Sequence, residues 1–159
     1  MAFDMSINIP PLKGESMSQK DQIDVLAWSW GASNSGSAHS GSGAGSGKAN
    51  VQDLSFTKYV DISSPELLLS CCSGKHFGEA VLTVRKAGGD KAVDYFTITM
   101  QDALISSLST GGSGGEDRLT ENVTLNFAKV KVKYLEQSKE GAPGRQSEKG
   151  WNIEENKEL

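Results

Sequence analysis

One stretch of this chain, Asn50 to Phe77 (NVQDLSFTKYVDISSPELLLSCCSGKHF), holds the only convincing helix in a sequence otherwise patterned as strands. Ser64 suits an N-cap, and Pro65 suits the first helical position, where its missing N–H costs nothing. Leu67, Leu68 and Leu69 follow, and Gly74 supplies the stop. Before the helix, Leu54, Phe56 and Val60 alternate with Ser55, Thr57 and Tyr59, a strand period. A helix of about ten residues is marginal alone. It must bury its leucines against a sheet, which predicts a β-barrel or sandwich with one docked helix.

The rest of the chain reads as strands and turns. Phe3, Met5, Ile7 and Ile9 alternate with polar residues and end at Pro10-Pro11; Lys13 to Asp21 is a polar loop. From Ile23 to Trp30 both parities are apolar, with Leu26, Trp28 and Trp30 on one face, so this strand is expected to be covered on both sides. Gly31 to Gly47 lacks any core-forming side chain. Flanking strands that belong to one fold favour a long protruding hairpin or loop over a linker. Ala80, Leu82 and Val84 alternate next, and Gly88-Gly89 marks a turn. Ala92 to Leu108 is a long strand or strand pair with Phe96, Ile98 and Met100 on one face. Gly111 to Gly115 is another turn. Val123, Leu125 and Phe127 share one parity, whereas Val130, Val132 and Tyr134 take the other. That switch near Ala128 predicts a bulge or a crossing between sheets. Glu136 to Lys149 is polar and reads as mobile; Trp151 and Ile153 should dock. The total is a mainly β protein, eight or nine antiparallel strands and one helix, in one domain spanning 1–159.

Net charge is −4, against the dense basic face that a general nucleic-acid binder needs. No apolar run approaches the ~20 residues of a membrane span, and the N-terminus lacks a secretory pattern. Cys71 and Cys72 are adjacent on the helix and point about 100° apart. They read as reduced thiols, buried or interfacial; a metal site with His76 would lack further ligands.

Catalytic near-motifs fail on context. Ser42 to Lys48 resembles a phosphate-binding loop, but Ala49 stands where a hydroxyl should ligate magnesium and no helix follows. Gly111-Gly112-Ser113-Gly114-Gly115 matches G-x-S-x-G, but strands flank it on both sides, and His39 and His76 both lie upstream. Asn122-Val123-Thr124 and the Glu116-Asp117 pair lack supporting context. No reaction class and no cofactor emerge, so the chain is not read as an enzyme. Two-faced strands and small-residue loops favour a self-assembling structural protein. The competing readings are an exported effector or toxin and a barrel that binds a small ligand.

The segments Ile23–Gly31, Asn50–Asp61, Cys72–Phe77, Leu82–Gly89, Ser109–Val130 and Gly150–Ile153 resemble, in this order, the Hcp (haemolysin co-regulated protein) family of the bacterial type VI secretion system. The resemblance implies a small antiparallel β-barrel of two sheets with the helix docked on its side and a long Gly/Ser loop over 31–48. It implies a homohexameric ring, stacked into a tube inside a contractile sheath and tipped by a VgrG-type spike. Effector proteins would ride in the lumen. The tube would assemble in the cytoplasm of a Gram-negative bacterium and be secreted without a cleavable signal peptide. No nucleic acid and no membrane insertion are implied. Gly31, Ser35, Gly36, His39, Gly41, Gly43, Gly45, Gly47 and Lys48 would belong to a ring-stacking loop. Ser113 would face the channel or the ring rim. Leu67, Leu68, Leu69, Cys71 and Cys72 would give the helix a second neighbour.

Overall fold

Alternating apolar residues make most of this chain strand, and the computed structural model describes residues 3–36, 47–86, 93–137 and 143–159. In chain order these hold β1 (Phe3–Asn8), β2 (Ile23–Asp24), β3 (Ala27–Ser29), β4 (Ala32–Asn34), β5 (Ala49–Val51), β6 (Leu54–Tyr59), α1 (Ser64–Ser73), β7 (His76–Lys86), β8 (Val93–Gly111), β9 (Thr120–Gln137), β10 (Pro143–Asn152) and β11 (Lys157–Glu158). Nine strands form one antiparallel sheet, and β4 and β5 form a separate two-stranded hairpin. The Gly88-Gly89 turn lies outside the described residues.

The large sheet curls around a core that includes Ile7, Leu54, Phe56, Leu82, Ile98 and Leu125. Its order runs β11-β10-β9-β8-β7-β1-β2, while β6 joins β9 on one side and β3 on the other. The barrel expected from sequence is therefore nearly complete, but its ladder does not close. β2 pairs with β1 and β3 pairs with β6, with Val25 and Leu26 between them. At that seam the Val25 N–H donates to the Met5 carbonyl at 2.9 Å and the Leu26 N–H to the Thr57 carbonyl at 2.8 Å. The seam also corrects the two-faced reading of Ile23 to Trp30. Ile23 and Val25 point inward, Leu26 is exposed, and Trp28 and Trp30 then pack against the core from the opposite parity. A mid-segment change of parity, not two covered faces, explains the run. Trp28 stacks on Phe96 with centroids 6.0 Å apart, and Trp151 also lies against the core.

The parity switch near Ala128 is real and is shared by three strands. Inward positions jump from Phe77 to Ala80 in β7, from Met100 to Ala103 in β8 and from Phe127 to Val130 in β9. Asp102 sits on this line with a positive φ of 53°. The strands turn over together because a lone switch would set one strand's apolar side chains against its neighbours' polar ones. Here β9 leaves β6, paired over Leu54–Tyr59, and takes up β10 from Lys129 onward. The polar segment 136–150, read from sequence as a mobile tail, contributes its first two residues to β9 and residues 143–150 to β10, in antiparallel register. Backbone pairing supplies the order there, since the side chains carry no strand period.

The helix spans ten residues and departs from the sequence reading in two respects. Ser63, not Ser64, is the N-cap, and its side chain makes no cap hydrogen bond. Of the three leucines only Leu67 is buried, whereas Leu68 and Leu69 are 53% and 62% exposed. The stop is as expected: Gly74 adopts φ 67°, ψ 31°, and the Lys75 N–H returns to the Ser70 carbonyl at 3.1 Å. Alanine tolerates that left-handed conformation poorly. Gly74→Ala is expected to lower the unfolding free energy by about 1 kcal/mol. Urea denaturation checks this; an unchanged midpoint would mean that the helix ends differently.

Candidate assembly surfaces

Alternation places one parity of each strand in the core and the other outside. On β3, β6, β9 and β8 the outward parity is almost uniform in chemistry. Cross-strand register lines up Ala27, Thr57, Asn122 and Ser109 in one row, and Ser29, Ser55, Thr124 and Ser107 in the next. None of these side chains is charged or larger than asparagine. The Thr57 hydroxyl donates to Asn122 Oδ1 at 2.7 Å, and the Ser55 and Thr124 hydroxyls lie 3.1 Å apart. A bulge at Ser106 borders the face, where Asp53 accepts hydrogen bonds from the Ser106 hydroxyl and the Asn126 amide at 3.0 and 2.9 Å. At the opposite border the Arg118 guanidinium lies 3.8 Å from the Tyr59 ring centroid. The face is thus a neutral surface of small, mostly hydroxyl-bearing side chains across four strands, two pairs of which hydrogen-bond to each other.

The Gly/Ser loop begins as the hairpin β4–β5, held at its base by the Trp30 indole N–H on the Gln52 carbonyl at 2.8 Å. The Ala49 N–H reaches Asn156 Oδ1 at 3.3 Å, tying the hairpin to the C-terminal turn. Ser35, Gly36 and Lys48 are exposed and Gly31 and Gly47 half-buried. Gly47 is required sterically, because a Cβ there would stand 2.1 Å from the Gly36 nitrogen. His39, Gly41, Gly43 and Gly45 lie outside the described residues. Ser113 is exposed in the turn joining β8 to β9, and its carbonyl accepts the Glu116 N–H at 3.1 Å. A Cβ on Gly111, Gly114 or Gly115 would meet nothing within 4 Å, so the rest of the chain does not demand glycine at these positions.

On α1, Cys72 is exposed beside Leu68 and Leu69, and Cys71 is half-buried against the core. Both thiols are free, as the sequence indicated. Among the described residues no cluster of three potential metal-ligating side chains occurs. His76 does have a partner that sequence reasoning missed: its Nδ1 lies 3.1 Å from Asp102 Oδ1 on the line where the strands turn over.

Sequence reasoning also missed a charge cluster beneath the helix. In β6 the third inward residue is Lys58, with no exposed surface, while Val60 is 36% exposed. The expected inward run Leu54, Phe56, Val60 therefore ends in a lysine. Lys58 Nζ contacts Glu121 of β9, which is 2% exposed, and reaches Asp61 Oδ1 at 3.1 Å. The Ser64 hydroxyl completes the cluster. It accepts the Asp61 N–H at 3.0 Å and lies 3.2 Å from Lys58 Nζ, and it donates to Glu121 Oε1 at 2.6 Å. A signal was present in the sequence: Lys58 falls on the parity of Leu54 and Phe56, and Glu121 on the parity of Val123 and Leu125.

Comparison with known proteins agrees with this architecture. The family model described as "Type VI secretion system effector, Hcp" matches residues 5–134. Protein hcp1 of Pseudomonas aeruginosa is 63% identical, with 98% of each chain covered. A solved structure described as a type six secretion system protein superimposes with a TM-score of 0.91 at 31% identity, covering 99% of this chain and 100% of the other. Hcp1 from Salmonella typhimurium gives a TM-score of 0.82 at 36% identity, with both chains fully covered. With a family match over most of its length and a full-length relative at this identity, the chain belongs to the Hcp family of type VI secretion system proteins.

Proposed function

We propose that this chain is a structural subunit of the secretion tube, six copies closing into a ring and rings stacking around a continuous channel. The observation that carries this reading is the neutral hydroxyl face of β3, β6, β9 and β8. A channel wall must let polypeptide pass without holding it. Small neutral side chains, mostly hydroxyls, offer neither strong charge nor apolar area to grip a passenger. Turned inward, this face would line the lumen, with Ser113 near its rim. The unexplained glycines at 111, 114 and 115 suit a rim that another backbone approaches closely. The hairpin carrying Gly31, Ser35, Gly36, Gly47 and Lys48, exposed at Ser35, Gly36 and Lys48, would be the element that reaches the neighbouring ring. The sheath and the VgrG-type spike are the partners this role requires, and effector proteins are the passengers. The role is structural, with no reaction assigned to the chain, and it ends in export by the secretion system. Among the described residues no helix is long and apolar enough to cross a membrane.

Native mass spectrometry with negative-stain microscopy tests the proposal. The expected result is a ring of six that persists in a Ser55→Arg variant, while an acidic effector co-purifies with the variant ring at least about tenfold more, since six added guanidinium groups give the wall the charge to grip it. A stable monomer at high protein concentration would refute it. So would an effector retained equally by the variant ring.

A further inference from the structure

After the parity switch β9 presents lysine at three successive outward positions, Lys129, Lys131 and Lys133, while Val130 and Val132 turn to the core. Alternate residues of a strand stand about 7 Å apart, so the three side chains leave the sheet along a line of about 14 Å. The flanking strands do not answer this charge. Register sets Gln101, Thr99 and Thr97 of β8 on one side of the lysines, and Asn152, Gly150 and Glu148 of β10 on the other. Glu148, opposite Lys133, is the one acid in these rows. Among the described residues none of the three lysines forms an ion pair, although the chain carries 20 acidic residues against 16 basic ones. The like charges therefore repel along the strand without relief from their own sheet.

The stripe also borders a hollow. Gly150 lies beneath the Lys131 stem: a Cβ there would stand 3.0 Å from Lys131 Cγ and from Leu159 Cδ1. Around it opens a cleft of about 430 Å³, lined by Lys129 and Lys131 from β9 and by Lys149 from β10. Glu148 and Glu158 line it too, and neither pairs with these lysines.

We infer that Lys129, Lys131 and Lys133, with Lys149 in the adjoining cleft, form a docking stripe for an acidic segment of a partner protein. Charge complementarity names the occupant. An extended segment with aspartate or glutamate at alternate positions repeats every ~7 Å, the spacing of the lysines, so each carboxylate meets one ammonium. A nucleic acid fits less well. These rows hold neither arginine nor an aromatic ring on which a base could stack, and Glu148 and Glu158 would face its phosphates. The stripe and the hydroxyl face use outward positions on either side of the parity switch, both backed by one core, so they lie on different walls of the barrel. The inference therefore holds for the single chain and is independent of the proposed tube.

The probe is a fluorescent peptide of alternating glutamate and serine, titrated with the full chain at low ionic strength and read by anisotropy. Binding is expected to weaken at least about tenfold in K129Q/K131Q/K133Q, as the loss of three exposed ion pairs implies. A control variant, K13Q/K20Q/K75Q, makes the same change in net charge at exposed lysines elsewhere, and its affinity is expected to stay within about twofold of the unmodified protein's. Salt at about 0.2 M should remove most of the binding. No binding by the unmodified chain would overturn the inference, as would equal losses in the two variants. An oligothymidylate held as tightly as the peptide would overturn the acidic protein as occupant. Native mass spectrometry of the same samples adds one more arm: a stripe variant whose assembly state differs from the unmodified protein's would assign the lysines to contacts between copies instead. Should the triple variant fail to fold, K131Q/K133Q decides at two exposed positions, with a loss of about fourfold expected and an unchanged affinity overturning the stripe.

Discussion

Replacing Lys58 by methionine is expected to lower the free energy of unfolding by about 3–5 kcal/mol, the range for breaking a buried ion pair by removing one partner. The reason is what stays behind. Glu121 is 2% exposed, and without Lys58 its carboxylate retains only the Ser64 hydroxyl as a donor. Asp61 loses the same cation, although the Ser63 N–H still donates to its Oδ1 at 2.8 Å. Replacing both partners is a different experiment. K58M/E121M removes the charge together with its counter-charge, and it should recover most of the loss, because an apolar pair of similar volume needs no desolvation. Guanidinium denaturation of the two variants checks both statements. A cost below about 1 kcal/mol for K58M alone would show that water reaches the cluster in solution, at the level typical of exposed pairs.

The second large effect is a contrast along three adjacent residues. Leu67→Ala should cost about 2–5 kcal/mol, as expected for truncating a fully buried leucine that leaves a cavity. Leu68→Ala and Leu69→Ala should each stay within about 0.5 kcal/mol in dilute protein, since they are more than half exposed. Thermal unfolding over a range of protein concentrations separates the contributions. A penalty at Leu68 or Leu69 that grows with concentration would place another copy of the chain over the helix. A penalty at Leu68 equal to that at Leu67 in dilute solution would contradict the helix setting described above.

Both predictions rest on positions where pattern reading and structure part company, and for one physical reason. Periodicity reports which parity of a strand is inward, and it did so for Phe96, Ile98 and Met100 and for the switch after Phe127. It assumes, however, that inward means apolar. Lys58 breaks that assumption because Glu121, far away in the chain, supplies its counter-charge across the β6–β9 ladder. Strand period offers Val60 as the inward residue in its place, but Val60 sits where the strand has already left the core. The hydroxyl face was legible only in pieces. Each strand shows serine or threonine on alternate positions, but register alone shows that these align into two rows. Of β10 only the docking Trp151 was legible, because the strand's partner is the backbone of β9 and residues 144–149 are exposed and carry no apolar period.

The chain's order of residues was sufficient for its strand-rich class, for the position and stop of its one described helix, for the phase switch in β9 and for the family. Each depends on local period, a glycine at a left-handed position, or motifs read in sequence. Only the folded chain decided which leucine of three is buried, that a lysine occupies the core, and that Ile23 to Trp30 forms a seam between β1 and β6. These outcomes depend on contacts between residues distant in sequence. A buried charge or an ambiguous apolar face is resolved by its partner, and the fold brings that partner into place.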